Sequence, residues 1–189
     1  MTRMIAVEIA PVTLPDAVDA RDARDFLDYL EIAATVMREQ SGAGVGAQKP
    51  ADALDRLRGA TCAPLLARIA GRAAGAAQFM APADGGALAS ISVFVPRRDA
   101  GILEAMLIKA VEEQARTHWF AAIRAVSLHR PDTEGDVIPA ADGGEAAPRD
   151  PQARALAESG YALETVTRHP TGWGDLEYLA AEWRKDLAG

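Results

Sequence analysis

One cysteine, few aromatic residues and a shortage of positive charge set the first limits on this 189-residue sequence. Cys62 stands alone, so the chain forms no internal disulfide and no Cys-x-x-Cys pair for metal or redox chemistry. The run Cys62-Ala63-Pro64-Leu65-Leu66 reads as the entry to a strand, which makes the thiol a buried packing group and not a nucleophile. Aromatic residues supply 5% of the chain while apolar residues supply 49%. Much of that apolar share is alanine, so the core is built of small side chains and close backbone approaches. Lys and Arg total 20 against 27 for Asp and Glu, a net charge of −7 with a pI near 5.0. An acidic surface repels phosphate backbones and argues against a nucleic-acid partner; it mildly favours a cationic one, such as an amine. No apolar stretch reaches the roughly 20 residues of a membrane helix, and Met1-Thr2-Arg3-Met4-Ile5-Ala6 lacks the apolar core and cleavage site of a signal peptide. No membrane partner and a cytoplasmic location are the expectation. His118, His129 and His169 lie in separate segments with no ligand spacing, so no metal site is expected.

The length suits one domain spanning 1–189. Met4 to Val12 reads as a strand ended by Pro11 and Pro15. Asp19 to Gln40 reads as a helix, with Phe26, Tyr29, Leu30, Ala33, Val36 and Met37 on one face. The Gly-rich stretch from Gly42 to Gly46 breaks it. It is no phosphate loop, because it follows a helix and lacks the Gly-Lys-Ser/Thr ending. A short helix from Pro50 to Leu57 follows. Leu65–Ala70 and Ala73–Met80 form a hairpin around Gly71-Arg72, and Ala87–Val95 is a strand stopped by Pro96. A helix opens at Asp99 or a neighbour and runs to about Thr117, with Ile102, Leu103, Met106, Leu107, Ala110 and Val111 inward. Ala125–Leu128 is a short strand, and a long loop occupies 130–151. A helix over 152–158 ends at Gly160. Tyr161–Arg168 is a strand, and Leu176–Leu187 reads as a last amphipathic helix carrying Tyr178, Leu179 and Trp183.

Four segments give this order a family likeness. Ala67-Arg68-Ile69-Ala70-Gly71-Arg72-Ala73-Ala74-Gly75 resembles a hairpin of the GNAT acetyltransferase superfamily, and Ile91-Ser92-Val93-Phe94-Val95-Pro96 resembles its fourth strand. Arg98-Asp99-Ala100-Gly101-Ile102-Leu103 falls where that family carries Gln/Arg-x-x-Gly-x-Gly/Ala. Ala153 to Tyr161 resembles the helix ending in "Gly-Tyr". The long loop followed by Gly160-Tyr161-Ala162-Leu163-Glu164 is similar to one half of bacterial tandem-GNAT proteins. The likeness covers roughly Val7 to His169, leaving 170–189 as a terminal turn and helix. It implies an α/β (α+β) fold: a mixed, mostly antiparallel sheet, helices on both faces, and a splayed central parallel strand pair.

The resemblance further implies acyl transfer from acetyl-CoA to a small-molecule amine. Backbone groups of Phe94 and Val95 would meet the pantetheine arm. The amides of Gly101, Ile102 and Leu103, with Arg97 and Arg98 nearby, would meet the pyrophosphate at a helix N-terminus. The sequence departs from the family pattern at several points. Leu103 replaces a small residue, either crowding the phosphates or turning into the core. Asp99 would cap the helix with its own carboxylate, and Glu104 adds charge at the same pole. Val93 stands near the family's Glu, and Leu156 stands where its proton-donating Tyr falls, while Tyr161 reads as a packing residue. His129, at a strand end, and Glu134, in the loop, are the candidate catalytic groups; each also reads as an ordinary structural or solvated residue. Two functions therefore stand: an acyl-CoA-dependent N-acyltransferase, or a catalytically degenerate GNAT-like module that binds a ligand or partner. A homodimer would supply surface that a missing second half provides in tandem proteins.

Overall fold

A computed structural model describes residues 6–41, 48–170 and 177–187. Strand β1 (Val7–Pro11) leads through turns into helix α1 (Arg24–Ser41), whose buried face is Phe26, Tyr29, Ile32 and Val36. Helix α2 (Pro50–Arg58) begins with proline, whose fixed φ suits a first helical position, and buries Ala53, Leu54 and Leu57. Strands β2 (Cys62–Ile69), β3 (Arg72–Met80) and β4 (Leu88–Phe94) follow as an antiparallel meander. A 3₁₀ turn over Arg97–Asp99 leads to α3 (Glu104–Thr117) and β5 (Ala122–His129). The excursion after β5 holds the small pair β6 (Val137–Ile138) and β7 (Ala147–Pro148); α4 (Pro151–Glu158), β8 (Ala162–Pro170) and β9 (Glu177–Asp186) complete the order.

The main sheet runs β1-β2-β3-β4-β5-β9-β8. Every neighbouring pair is antiparallel except β4 and β5, which the α3 crossover makes parallel. One face packs on α1 and α2 through Phe26, Tyr29, Leu54, Leu57 and Leu66. The other packs on α3 and α4 through Leu103, Leu107, Ile108, Leu156 and Trp183. The alanine-rich composition has a direct consequence in β3. Ala74, Ala76 and Ala77 are fully buried, and a Cβ on Gly75 would lie 3.0 Å from Cδ1 of both Leu103 and Leu107. Glycine there lets α3 settle onto the sheet.

Two expectations are corrected. The terminal helix over Leu176–Leu187 is instead strand β9, so the segment after 170 belongs to the sheet. Tyr178, Leu179 and Trp183 fit helical spacing, but Leu179, Ala181 and Trp183 alternate inward with period two. Pairing with both β5 and β8 decides between the readings. The helix expected from Asp99 starts five residues later, because Ala100 is extended and Gly101 takes φ +85°. The Gly42–Gly46 stretch lies outside the described residues.

The β2–β3 hairpin turns on Ala70 and Gly71, one residue earlier than the sequence reading, with φ +50° and +79°. Both central positions of this two-residue turn are left-handed, a conformation that disfavours alanine. Replacing Ala70 by Gly or Asn should raise stability by about 0.5–1 kcal/mol, read as a higher melting temperature. An unchanged or lower value would show that the turn is unstrained.

Candidate active-site cleft

The parallel register between β4 and β5 runs from Leu88↔Ala122 to Ile91↔Ala125 and then stops. Beyond it the strands part: β4 stays with β3 as far as Phe94↔Ala76, and β5 stays with β9 as far as His129↔Leu179. The opening is a cavity of about 270 Å³ lined by the ends of both strands, the last turn of α1, the loop before α3 and the start of α4. The Val93 carbonyl turns into it and accepts a 3.1 Å hydrogen bond from Gln152 Nε2. The Phe94 carbonyl turns the other way, 3.5 Å from a Cβ placed on Gly75. Val93 and Val95 thus stand on the cleft edge of β4, and Phe94 turns its carbonyl to β3.

The loop from 97 to 103 is shaped by four side chains. Leu103 is wholly buried in the core, so its side chain leaves the start of α3 uncrowded; it also takes the N-cap position in place of Asp99. The Asp99 carboxylate is drawn away to Arg72, which donates through Nη2 at 2.7 Å and Nη1 at 3.0 Å, with Arg98 Nε at 3.3 Å. The Arg72 hydrogen bonds hold the Asp99 carboxyl below its ordinary value. Glu104 instead reaches back, and both its oxygens accept from the Gly101 N–H at 2.9 and 2.8 Å. A third carboxylate, Glu39 at the end of α1, accepts from the Arg97 N–H at 2.9 Å. The Glu39 carbonyl accepts from Arg97 Nη2 at 3.3 Å and Arg130 Nε at 3.1 Å. α1 is thereby strapped to the loops after both parted strands. Arg98 and Ile102 face solvent.

His129 is not a surface residue at a strand end. It is 1% exposed and lines the cavity, with both ring nitrogens engaged. Its Nδ1 lies 2.5 Å from Asp150 Oδ2 and its Nε2 lies 2.6 Å from Ser127 Oγ. Trp183 Nε1 donates to the same hydroxyl at 2.8 Å. Tryptophan only donates and an ionised carboxylate only accepts, so the neutral chain runs one way. Trp183 donates to Ser127, Ser127 donates to His129 Nε2, and His129 Nδ1–H donates to Asp150. Asp–His–Ser is also the order of a nucleophile relay. Here Ser127 is 1% exposed and does not line the cavity, so its hydroxyl meets no substrate. What opens to the cleft is Asp150, whose side chain is 24% exposed. Its Oδ1 caps α4 by accepting the Ala153 N–H at 2.9 Å.

Glu134 lies away from the cleft. It is exposed in the excursion after β5, along a groove with Asp136, Arg149 and Arg154 that meets the cavity at Thr133, Asp150 and Pro151. Tyr161 packs beneath Lys185 at 5.5 Å, and burial pushes its hydroxyl far above the ordinary value. Leu156 is 2% exposed in the core, so a hydroxyl is absent from that position. Cys62 is half-buried, and burial raises its thiol. Among the described residues no three metal-ligating side chains gather, and no helix is long and apolar enough to cross a membrane. Sequence reading missed Asp150, Ser127, Gln152, Glu39 and the polar role of Trp183. Only Asp150 carried a usable signal: Asp followed by Pro is an N-cap followed by a favoured first helical residue.

The sequence matches no protein-family model and no curated protein. Solved structures do share the architecture. An acetyltransferase of the GNAT family from Streptococcus pneumoniae is 12% identical, with a TM-score of 0.63 over 96% of this chain and 100% of that one. A Salmonella typhimurium protein solved with its cofactor acetyl-CoA is 14% identical, with a TM-score of 0.61 over 96% of this chain and 94% of that one. A tandem GNAT protein from the clavulanic acid biosynthesis pathway is 20% identical, with a TM-score of 0.57; the match covers 86% of this chain and 46% of that one. The chain has the GNAT fold, in the mixed and mostly antiparallel form with one parted parallel pair.

Two outcomes test this geometry. Ser127→Ala leaves Trp183 Nε1 and His129 Nε2 buried without their partner and should cost about 1–3 kcal/mol in urea unfolding; a loss below 0.5 kcal/mol, on the order of a neutral surface change, would contradict the chain of donors. Asp99 has a lowered folded pKa, so its contribution is present above the unfolded value and is lost as pH falls through the folded one. The stability gap between wild type and Asp99→Asn should be widest near neutrality and narrow steadily below about pH 4. A gap independent of pH would rule out the Arg72 pairing as its cause.

Proposed function

We propose that this chain is an acyl-CoA-dependent N-acyltransferase acting on a small-molecule amine. The observation that carries the reading is the parting of β4 and β5 after Ile91 and Ala125, with a carboxylate at the mouth of the resulting cavity. The residues present fit an acyl-CoA donor. The cleft edge of β4 at Val93 and Val95 is free of β5, so an extended amide chain can add there as a strand would. Leu103 is turned inward and Asp99 is held aside, which leaves the first-turn amides of α3 for phosphate. Arg97 and Arg98 stand in the turn before that loop, and Arg154 Nη2 comes within 3.9 Å of a Cβ placed on Gly101. When bound, the donor supplies a thioester carbonyl that an amine can attack.

Asp150 is the group this chain offers to the acceptor. Its carboxylate receives the ammonium and accepts the proton that must leave before the nitrogen lone pair is available. His129 Nδ1–H on one oxygen and the Ala153 N–H on the other fix the direction in which it points. His129 is therefore a positioning residue acting through Asp150, because neither of its nitrogens is free. No hydroxyl stands at Leu156 to protonate a leaving sulfur, which favours slow turnover.

The test is thiol release from acetyl-CoA across a panel of small amines. Asp150→Asn should lower kcat/KM by roughly 10²–10⁴-fold, the scale of lost general-base assistance. His129→Ala should lower it less, through kcat and not KM. Equal rates in wild type and Asp150→Asn would reject the assignment. A second reading, a non-catalytic GNAT-fold module, is favoured by Val93 and Leu156, apolar where the family resemblance expects an acid or hydroxyl. Acetyl-CoA binding without turnover on any amine would select it.

A further inference from the structure

The polar groups of the cleft are already paired with the protein's own side chains, at three separate points. Gln152 holds the Val93 carbonyl, Glu39 holds the Arg97 N–H, and Glu104 holds the Gly101 N–H with both oxygens. The third contact differs in kind. The Glu104 carboxylate belongs to a residue 4% exposed, lines the cavity, and places a full negative charge where a donor's phosphates would bring theirs. It opens α3, so the helix pole favours it there. Gly101 takes φ +85°, which aims its N–H back at the carboxylate, and Arg154 approaches the same point from α4.

We propose that Glu104 is an internal competitor for the donor's phosphates and so the residue that sets donor affinity. The proposal rests on the acyl-CoA reading above. Two like charges cannot share the Gly101 amide and the start of α3, so the donor binds only as Glu104 swings out. Until then Glu104 stabilises the empty loop. Free-state stability and donor affinity are thus opposed at this residue, and a purely structural glutamate would show no such opposition. The competition acts on the phosphates, because the pantetheine arm carries no charge for the Glu104 carboxylate to repel.

The experiment is calorimetric titration of the full chain with acetyl-CoA and with S-acetyl-pantetheine, which lacks the pyrophosphate, for wild type, Glu104→Gln and Glu104→Ala. Ligand-free melts accompany each. Glu104→Gln keeps an acceptor for the Gly101 N–H but removes the charge. It should melt lower than wild type, bind acetyl-CoA about 5- to 30-fold tighter, the range set by a partly buried charge at a helix pole, and bind S-acetyl-pantetheine as wild type does. Glu104→Ala should show the same directions. Equal or weaker acetyl-CoA binding by both folded variants overturns the role of Glu104 alone. An equal gain for S-acetyl-pantetheine overturns it too, since the competition would not be with phosphate. No acetyl-CoA binding by wild type or either variant overturns the acyl-CoA reading itself.

Discussion

The hydrogen bond from Trp183 to Ser127 is the contact around which this structure is arranged. It lies inside the sheet, ties the second half of β5 to β9, and completes a chain of donors ending on Asp150. β5 pairs with β4 along one edge only as far as Ala125 and with β9 along the other as far as His129, and the buried polar chain holds its second half to β9. Apolar packing has no direction, but a buried hydroxyl without its partner costs more than it returns when paired, so the chain fixes where β5 goes. The cavity is the space left when β4 continues along β3 instead. The same chain ends on the N-cap of α4, so the start of that helix and the floor of the cleft are set by one network.

The other side of the cleft is governed by charge. For an acidic protein to take the proposed anionic donor, its carboxylates must be kept away from the phosphates or engaged. Asp99 is engaged by Arg72 and Arg98, and Glu39, at the end of α1, is held beside Arg97 and Arg130. These contacts stabilise the protein with nothing bound and keep Arg97 and Arg130 at the rim. Glu104 is the carboxylate left facing the loop, at a helix pole that serves either a side chain or a ligand.

The sheet order was legible where the chain pairs locally. Leu65 to Met80 gives the hairpin, and the strand–Pro–helix–strand run from Ile91 to Leu128 dictates a parallel pair. The last strand was not legible, because Tyr178-Leu179-Ala180-Ala181-Glu182-Trp183 fits a helical stripe as well as an alternating one, and only the neighbours β5 and β8 decide. Leu103 gave both of its readings from sequence, and packing against Gly75 selects the inward one. Asp99 looked like a cap from its place before an apolar run, but Arg72 lies 27 positions earlier and reaches it only once the hairpin is folded. His129 was visible as a candidate while its role was not. The partners that fill both its nitrogens come from positions 127 and 150, and the residue that braces Ser127 lies 56 positions away.

The claim that the parted strands form a donor-binding cleft is tested most directly by following backbone amide resonances while acetyl-CoA is titrated in. Shifts should concentrate at Val93 and Val95, at Gly101 through Met106, and at Gln152 and Ala153, while β1 and the β2–β3 turn stay still. Absence of any shift at millimolar acetyl-CoA, or shifts confined to surfaces away from β4 and the start of α3, would contradict it.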